Sequence, residues 1–256
     1  MIPVKRQEKI IDILKTRGST AIEELARELD ASQMTIRRDL EVLSKKKIAT
    51  RNHGGASLCQ ELKKERSYNL RKNENIEGKK KIAEAAVNFV KPNYTLFLDA
   101  GTTALQLASL IKNIENITVV TADLNIALEL CNSNAKVYIL GGEVQNETGS
   151  ILSNLSSDFI KNIYVDIAFI SSSSISTDFT IFSPTFEKSE RKRHFIQNSN
   201  ISILLAEKTK FYSQSLFKVG SIGMLSHMIT DREFSNLETE TIKTINDKHN
   251  FMIKVN

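Results

Sequence analysis

From Ile82 onward short apolar runs alternate with helical stretches, and no other feature of this 256-residue chain restricts its fold so tightly. A helix over Ile82 to Val90, then Pro92, precede the run Tyr94-Thr95-Leu96-Phe97-Leu98. Asp99-Ala100-Gly101-Thr102-Thr103 opens a further helix that reaches about Leu110. Ile117 to Thr121 forms the next run and ends in Ala122-Asp123-Leu124 at another helix start, and Val137 to Leu140 ends in Gly141-Gly142. Two more runs lie at Ile167-Ala168-Phe169-Ile170 and Ile201-Ser202-Ile203-Leu204-Leu205. Strands separated by helices pair in parallel through crossovers, so the rhythm predicts an α/β domain with a mainly parallel sheet and helices on its faces.

Ligands of such sheets bind beyond the carboxyl ends of the strands, where loops converge. The loop residues here suit a phosphorylated, hydroxyl-rich ligand. Gly101 lets a ligand approach the backbone, and Thr102 and Thr103 add hydroxyls at a helix start, whose free amides attract anions. Asp99 and Asp123 either accept hydrogen bonds from ligand hydroxyls or serve as plain helix caps. Lys192 and Lys210 are candidates for charge compensation.

The first sixty residues follow a different pattern. Ile10, Ile11 and Leu14 lie at helical spacing in the segment Val4 to Lys15, and Arg17-Gly18 ends that helix. Thr20 and Glu23 have capping-box spacing for a second helix through Leu29, with Ile22, Leu25, Ala26 and Leu29 inward. Ser32 is placed to cap a third helix to about Lys45, whose inward residues are Ile36, Leu40 and Leu43. Helix, short turn, helix lets one helix brace another in the DNA major groove. Met34, Arg37, Arg38 and Glu41 face away from the core, with Gln33 and Thr35 on the flanks. Gln33 can pair with adenine and Arg37 or Arg38 with guanine, while Ser32 and Thr35 suit phosphate oxygens. The competing role for Arg37 and Arg38 is pairing with Glu41 or Asp39 on their own helix. A strand at Ile48 to Arg51, a glycine turn and a return strand would then make a wing. Arg51 and His53 would offer it donors for DNA, although a lone histidine is as often structural.

Charge divides the chain in the same place. Residues 1–81 carry 20 Lys+Arg against 12 Asp+Glu, and the remainder 15 against 18, so a basic end sits on a slightly acidic body. The expected division is a DNA-binding unit at 1–58, a polar, solvated and partly helical connector at 59–81 and an α/β unit at 82–256. No apolar run approaches membrane-spanning length, and the charged start lacks a signal-peptide core. Cys59 and Cys131 have no metal-ligand spacing. A cytoplasmic protein without metal or cofactor is expected.

Two strings carry a family resemblance: Thr35-Ile36-Arg37-Arg38-Asp39-Leu40 and Arg51-Asn52-His53-Gly54-Gly55-Ala56 resemble the DNA-binding end of the DeoR family of bacterial transcriptional regulators. In the second half the resemblance rests on Asp99 to Thr103, Thr121-Ala122-Asp123-Leu124-Asn125, Gly141-Gly142, Glu187 with Lys192-Arg193, and Lys210-Phe211. It implies a winged helix-turn-helix followed by a sugar-phosphate sensor domain similar in fold to ribose-5-phosphate isomerase. On that basis Thr121, Leu124 and Gly141 join the expected ligand site. The chain departs from the family's pattern at Ser171-Ser172-Ser173-Ser174, where a glycine turn is usual, at Ser153, and at Glu207 in place of Asp.

The resemblance implies a repressor of a carbohydrate-metabolism operon, whose partners are double-stranded operator DNA and a sugar-phosphate effector. Palindromic operators match two-fold assemblies, so a homodimer or homotetramer is expected. A sugar-phosphate isomerase or deaminase is the contrasting class, but no spacing identifies a catalytic base or nucleophile. A DNA-binding protein with a vestigial sensor is the third possibility, raised by the serine substitutions.

Overall fold

The computed structural model describes residues 3–45, 49–52, 55–58, 65–152, 160–246 and 251–255. His53, Gly54 and Ser153, each named above, lie outside them. At the N-terminus, α1 (Pro3–Arg17), β1 (Ser19–Ala21), α2 (Ile22–Glu28) and α3 (Gln33–Lys45) precede the strands β2 (Ala49–Asn52) and β3 (Gly55–Leu58). The three strands pair antiparallel in the order β1-β3-β2. Ile10, Leu14, Leu25, Ile36 and Leu40 are fully buried between the helices, as their spacing predicts.

Gly18 ends α1 at φ +74°, and its amide donates to Leu14 O. The expected capping box does not form. Thr20 is buried in β1 opposite Ala56, and α2 starts from Ala21 without a side-chain cap. Strand pairing claimed the segment that local spacing assigned to a helix cap.

The described part of the segment between the two units is helical, and it is partly buried where its charge predicts a solvated connector. It contains α4 (Tyr68–Asn73) and α5 (Ile76–Val87), which begins six residues before the predicted start at Ile82. Lys79 is buried because its ammonium meets the carbonyl oxygens of Arg71 and Glu74 and lies 3.3 Å from the Glu207 carboxylate.

The larger unit then runs through β4 (Thr95–Leu98), α6 (Thr102–Ile111), β5 (Thr118–Thr121), α7 (Leu124–Leu130) and β6 (Lys136–Ile139). A hairpin of β7 (Glu143–Gln145) and β8 (Ser150–Leu152) follows, then β9 (Val165–Ser171), β10 (Ser174–Ile175) and β11 (Thr180–Ser183). Last come α8 (Phe186–Gln197), β12 (Ser199–Ala206), β13 (Phe217–Ser221), β14 (His227–Thr230), α9 (Asn236–Ile245) and β15 (Met252–Lys254). Seven strands form one parallel sheet, β15-β14-β12-β9-β4-β5-β6. Both faces are buried, so alternate residues feed different cores: Leu96 and Leu98 pack with α5 and α6, while Phe97 stacks on Phe195 of α8. A smaller antiparallel sheet, β10-β11-β13, lies beside it.

The two units touch through Tyr212. Its hydroxyl donates to Arg17 O at 2.8 Å, and its ring lies against Gly18. The Arg232 guanidinium stacks 4.0 Å from that ring, and the Glu238 carboxylate meets both the hydroxyl and Arg232.

Candidate nucleic-acid interface and ligand cleft

On α3 the Ser32 hydroxyl accepts the Thr35 amide at 3.1 Å, the cap that the sequence predicts. The Ser32 and Thr35 hydroxyls also bond each other at 2.8 Å. Gln33, Met34, Arg37 and Arg38 are exposed on one side of the helix, as is Arg51 on β2. Asp39 does not pair with either arginine. It is buried and accepts from Arg6 Nε at 2.5 Å and Gln7 Nε2 at 3.0 Å, both on α1. Among the described residues neither Arg37 nor Arg38 has an ion-pair partner. Two cations, an amide and a methionine thus stand on the open face of a helix braced from behind by two others. That is the geometry of a groove-reading helix.

The second site is a cleft at the carboxyl ends of β4, β9 and β12. Asp99, Gly101, Thr102, Thr103, Asp123, Lys192 and Lys210 line it together. Three further expected residues do not. Thr121 turns its hydroxyl inward, between Leu98 O and the Asp123 amide, Leu124 packs on the core, and Gly141 is exposed on the surface.

The two aspartates have different roles. Asp123 caps α7, accepting from the amides of Asn125 and Ile126, and its other oxygen accepts the Gly101 amide at 3.2 Å. Burial pushes its carboxyl above the ordinary range, against those hydrogen bonds. Asp99 caps nothing. Burial opposes its ionisation, but Lys192, Arg191 and Ser171 together outweigh burial and hold its carboxyl below the usual range. One of its oxygens meets Lys192 and the Ser171 amide and hydroxyl, while Oδ1 is buried without a partner.

Helix α8 supplies most of the positive charge. The Thr185 hydroxyl caps it, and Lys188, Arg191 and Lys192 are all buried on its inner side. Lys188 was not among the expected residues. Its ammonium lies 2.6 Å from Glu65 Oε1 and from Gln145 Oε1, and Gln145 Nε2 donates to Glu65 Oε2 at 3.0 Å. Burial lowers the Lys188 pKa and Glu65 opposes that shift. Glu207, noted above only as a departure from the family's Asp, is buried where it accepts from Thr103 Oγ1 at 3.0 Å. The serine run adapts to the cleft: Ser171 serves Asp99, Ser174 pairs with Ser215, and Ser172 Oγ is buried without a partner. Ser150 Oγ and Ser183 Oγ, whose residues also line the cleft, are likewise unpartnered. Among the described residues no three His, Cys, Asp or Glu side chains group as metal ligands. Nor is any helix among them long and apolar enough to cross a membrane.

A winged helix with a free cationic face, joined to a parallel α/β unit with a polar cleft, defines a ligand-responsive DNA-binding regulator. Residues 6–62 match the family model described as the DeoR-like helix-turn-helix domain, and residues 74–232 match the DeoR C terminal sensor domain. The chain belongs to the DeoR family of transcriptional regulators, and it is a regulator, not an enzyme. It is 34% identical to the HTH-type transcriptional regulator GolR of Listeria innocua over 241 residues, 92% of this chain and 93% of that one. It is 31% identical to the glycerol-3-phosphate regulon repressor of Escherichia coli over 232 residues, 90% of this chain and 92% of that one. Ribose 5-phosphate isomerase A from Methanocaldococcus jannaschii aligns with a TM-score of 0.40 and 16% identity, over 54% of this chain and 55% of that one.

Proposed function

We propose that the protein is a cytoplasmic repressor of a carbohydrate-metabolism operon, acting as a two-fold homodimer or homotetramer whose operator affinity a phosphorylated, hydroxyl-bearing metabolite controls. Residues 1–58 form the operator-binding unit and 82–256 the sensor. Arg37, Arg38 and Gln33 read base edges, while Ser32, Thr35, Met34 and Arg51, with His53, contact the groove walls and backbone. Asp99, Gly101, Thr102, Thr103, Lys192 and Lys210 contact the effector, with Thr121, Asp123, Leu124 and Gly141 shaping the loops around it.

One observation carries the effector class: Asp99 Oδ1 and the hydroxyl oxygens of Ser150, Ser172 and Ser183, all in residues lining the cleft, are buried without partners. Buried polar groups are nearly always satisfied, so four orphans in residues lining one cleft call for a ligand or water with many hydrogen-bonding groups. The buried lysines beside them favour an anion. The glycerol-3-phosphate repressor among the relatives carries a name of the same chemical kind.

The test is a mobility-shift titration of the full chain on the DNA upstream of its own operon, with and without glycerol 3-phosphate and other sugar phosphates. Binding to a palindromic site should weaken steeply with salt, because phosphate contacts release counterions. One of the sugar phosphates should shift the affinity further. A protein with no salt-sensitive affinity for any duplex would overturn the DNA-binding half of the proposal. Indifference to every phosphorylated sugar would overturn the other half.

A further inference from the structure

We propose that Glu65 is an internal stand-in for the effector's anionic group, held on Lys188 until a phosphate displaces it and frees the connector to the DNA-binding unit. This rests on the sensor reading above and deepens it. The salt bridge joins residues 123 positions apart, and both Glu65 and Lys188 line the same cleft as Asp99, Ser172 and Ser183. Of the three buried cations on α8, Lys192 is held by Asp99, the residue that directly follows β4. Among the described residues Lys188 has for its carboxylate only Glu65 of the connector, which lies in neither helix nor strand. A phosphate entering the cleft would place a second anion beside Glu65 on one ammonium, and like charges sharing a buried site oppose each other strongly. With more charge and more acceptor oxygens than a carboxylate, it is the stronger partner for a lysine.

Displacement has somewhere to go. Near Glu65 the connector is held by Gln145 to Glu65, by the Tyr68 amide on Glu147 O at 2.8 Å, and by the exposed Arg66–Glu74 pair, while its later part stays anchored through Tyr68 on the core, Asn75 on Asp231 and Lys79 beside Glu207. Exposed pairs contribute little. Glu65 lies seven residues beyond Leu58, the last residue of β3, so release at Glu65 would move the connector's first described anchor farther along the chain from the DNA-binding unit.

Calorimetric titration of the full chain with inorganic phosphate tests this, in the unmodified protein and in E65Q and K188M. Removing the competing charge in E65Q should tighten phosphate binding at least about fivefold, and K188M should weaken it by a similar factor. Because K188M alters a buried site, amide exchange on the unmodified protein provides an independent check: saturating phosphate should speed exchange at the Tyr68 amide. Phosphate affinity unchanged or weakened by E65Q, or a Tyr68 amide more protected in phosphate, would overturn the displacement alone. No phosphate binding by either the unmodified protein or E65Q would overturn it together with the sensor reading.

Discussion

Asp39 sits one position from Arg38 and two from Arg37, yet Arg6 and Gln7 of α1 hold it. That pairing ties α1 to α3 and leaves both arginines free for nucleic acid. Replacing Arg37 or Arg38 by alanine should cost about 1–3 kcal/mol of operator affinity for the one that contacts a base, with relaxed specificity at one position. Both residues are exposed, so the melting temperature should stay put; unchanged operator affinity in both single variants and the double would count against α3 as the reading helix. Asp99 gives a second prediction at this scale. Its folded pKa lies below the unfolded value of about 3.9. Its stabilising contribution is therefore present above that pH and lost as pH falls through the lower folded value. Denaturant titrations should show stability falling below about pH 4 in the unmodified protein and a shallower fall in Asp99→Asn. At neutral pH the variant should be less stable by about 3–5 kcal/mol, since Lys192 is left buried and unpaired.

Elements were legible in the sequence wherever one period dominated. The α3 face, the Ser32 cap and the strands β4, β5, β6, β9 and β12 fall within one or two residues of their expected places. Ser32→Ala should cost about 1 kcal/mol, read as a lower unfolding midpoint, since the Thr35 amide loses its acceptor. Signals failed where a distant partner decides the outcome. The sequence marks Lys192 of α8 as a charge-compensating residue but not Lys188, and only Glu65 and Asp99, far away in sequence, allow both lysines to be buried. Thr20 failed for a related reason: its capping-box spacing is real, but pairing with Ala56 of the wing took precedence. In the connector, charge density suggested solvent while the carbonyls of Arg71 and Glu74 were drawing Lys79 inward. The sequence marked the cleft's aspartates and threonines together with Lys192 and Lys210, but not Glu65 or Lys188, whose pairing spans 123 positions.

At the scale of the whole molecule, the loop after β12 has one end in the cleft, at Glu207 and Lys210, and the other against α1, at Tyr212. A Cβ at Gly18 would fall 1.7 Å from Tyr212 Cε1, and φ +74° is itself unfavourable for alanine. Gly18→Ala should therefore destabilise the DNA-binding unit by about 1–2 kcal/mol from backbone strain alone. It should also push Tyr212 away, seen as quenching or dequenching of tyrosine fluorescence absent in Tyr212→Phe. A loop this short passes on displacement at one end to the other. Engineers who transplant this headpiece onto a different metabolite receptor would carry over its promoter preference but not its alignment, because the bare backbone at position 18 would then meet whatever side chain the new body presents there.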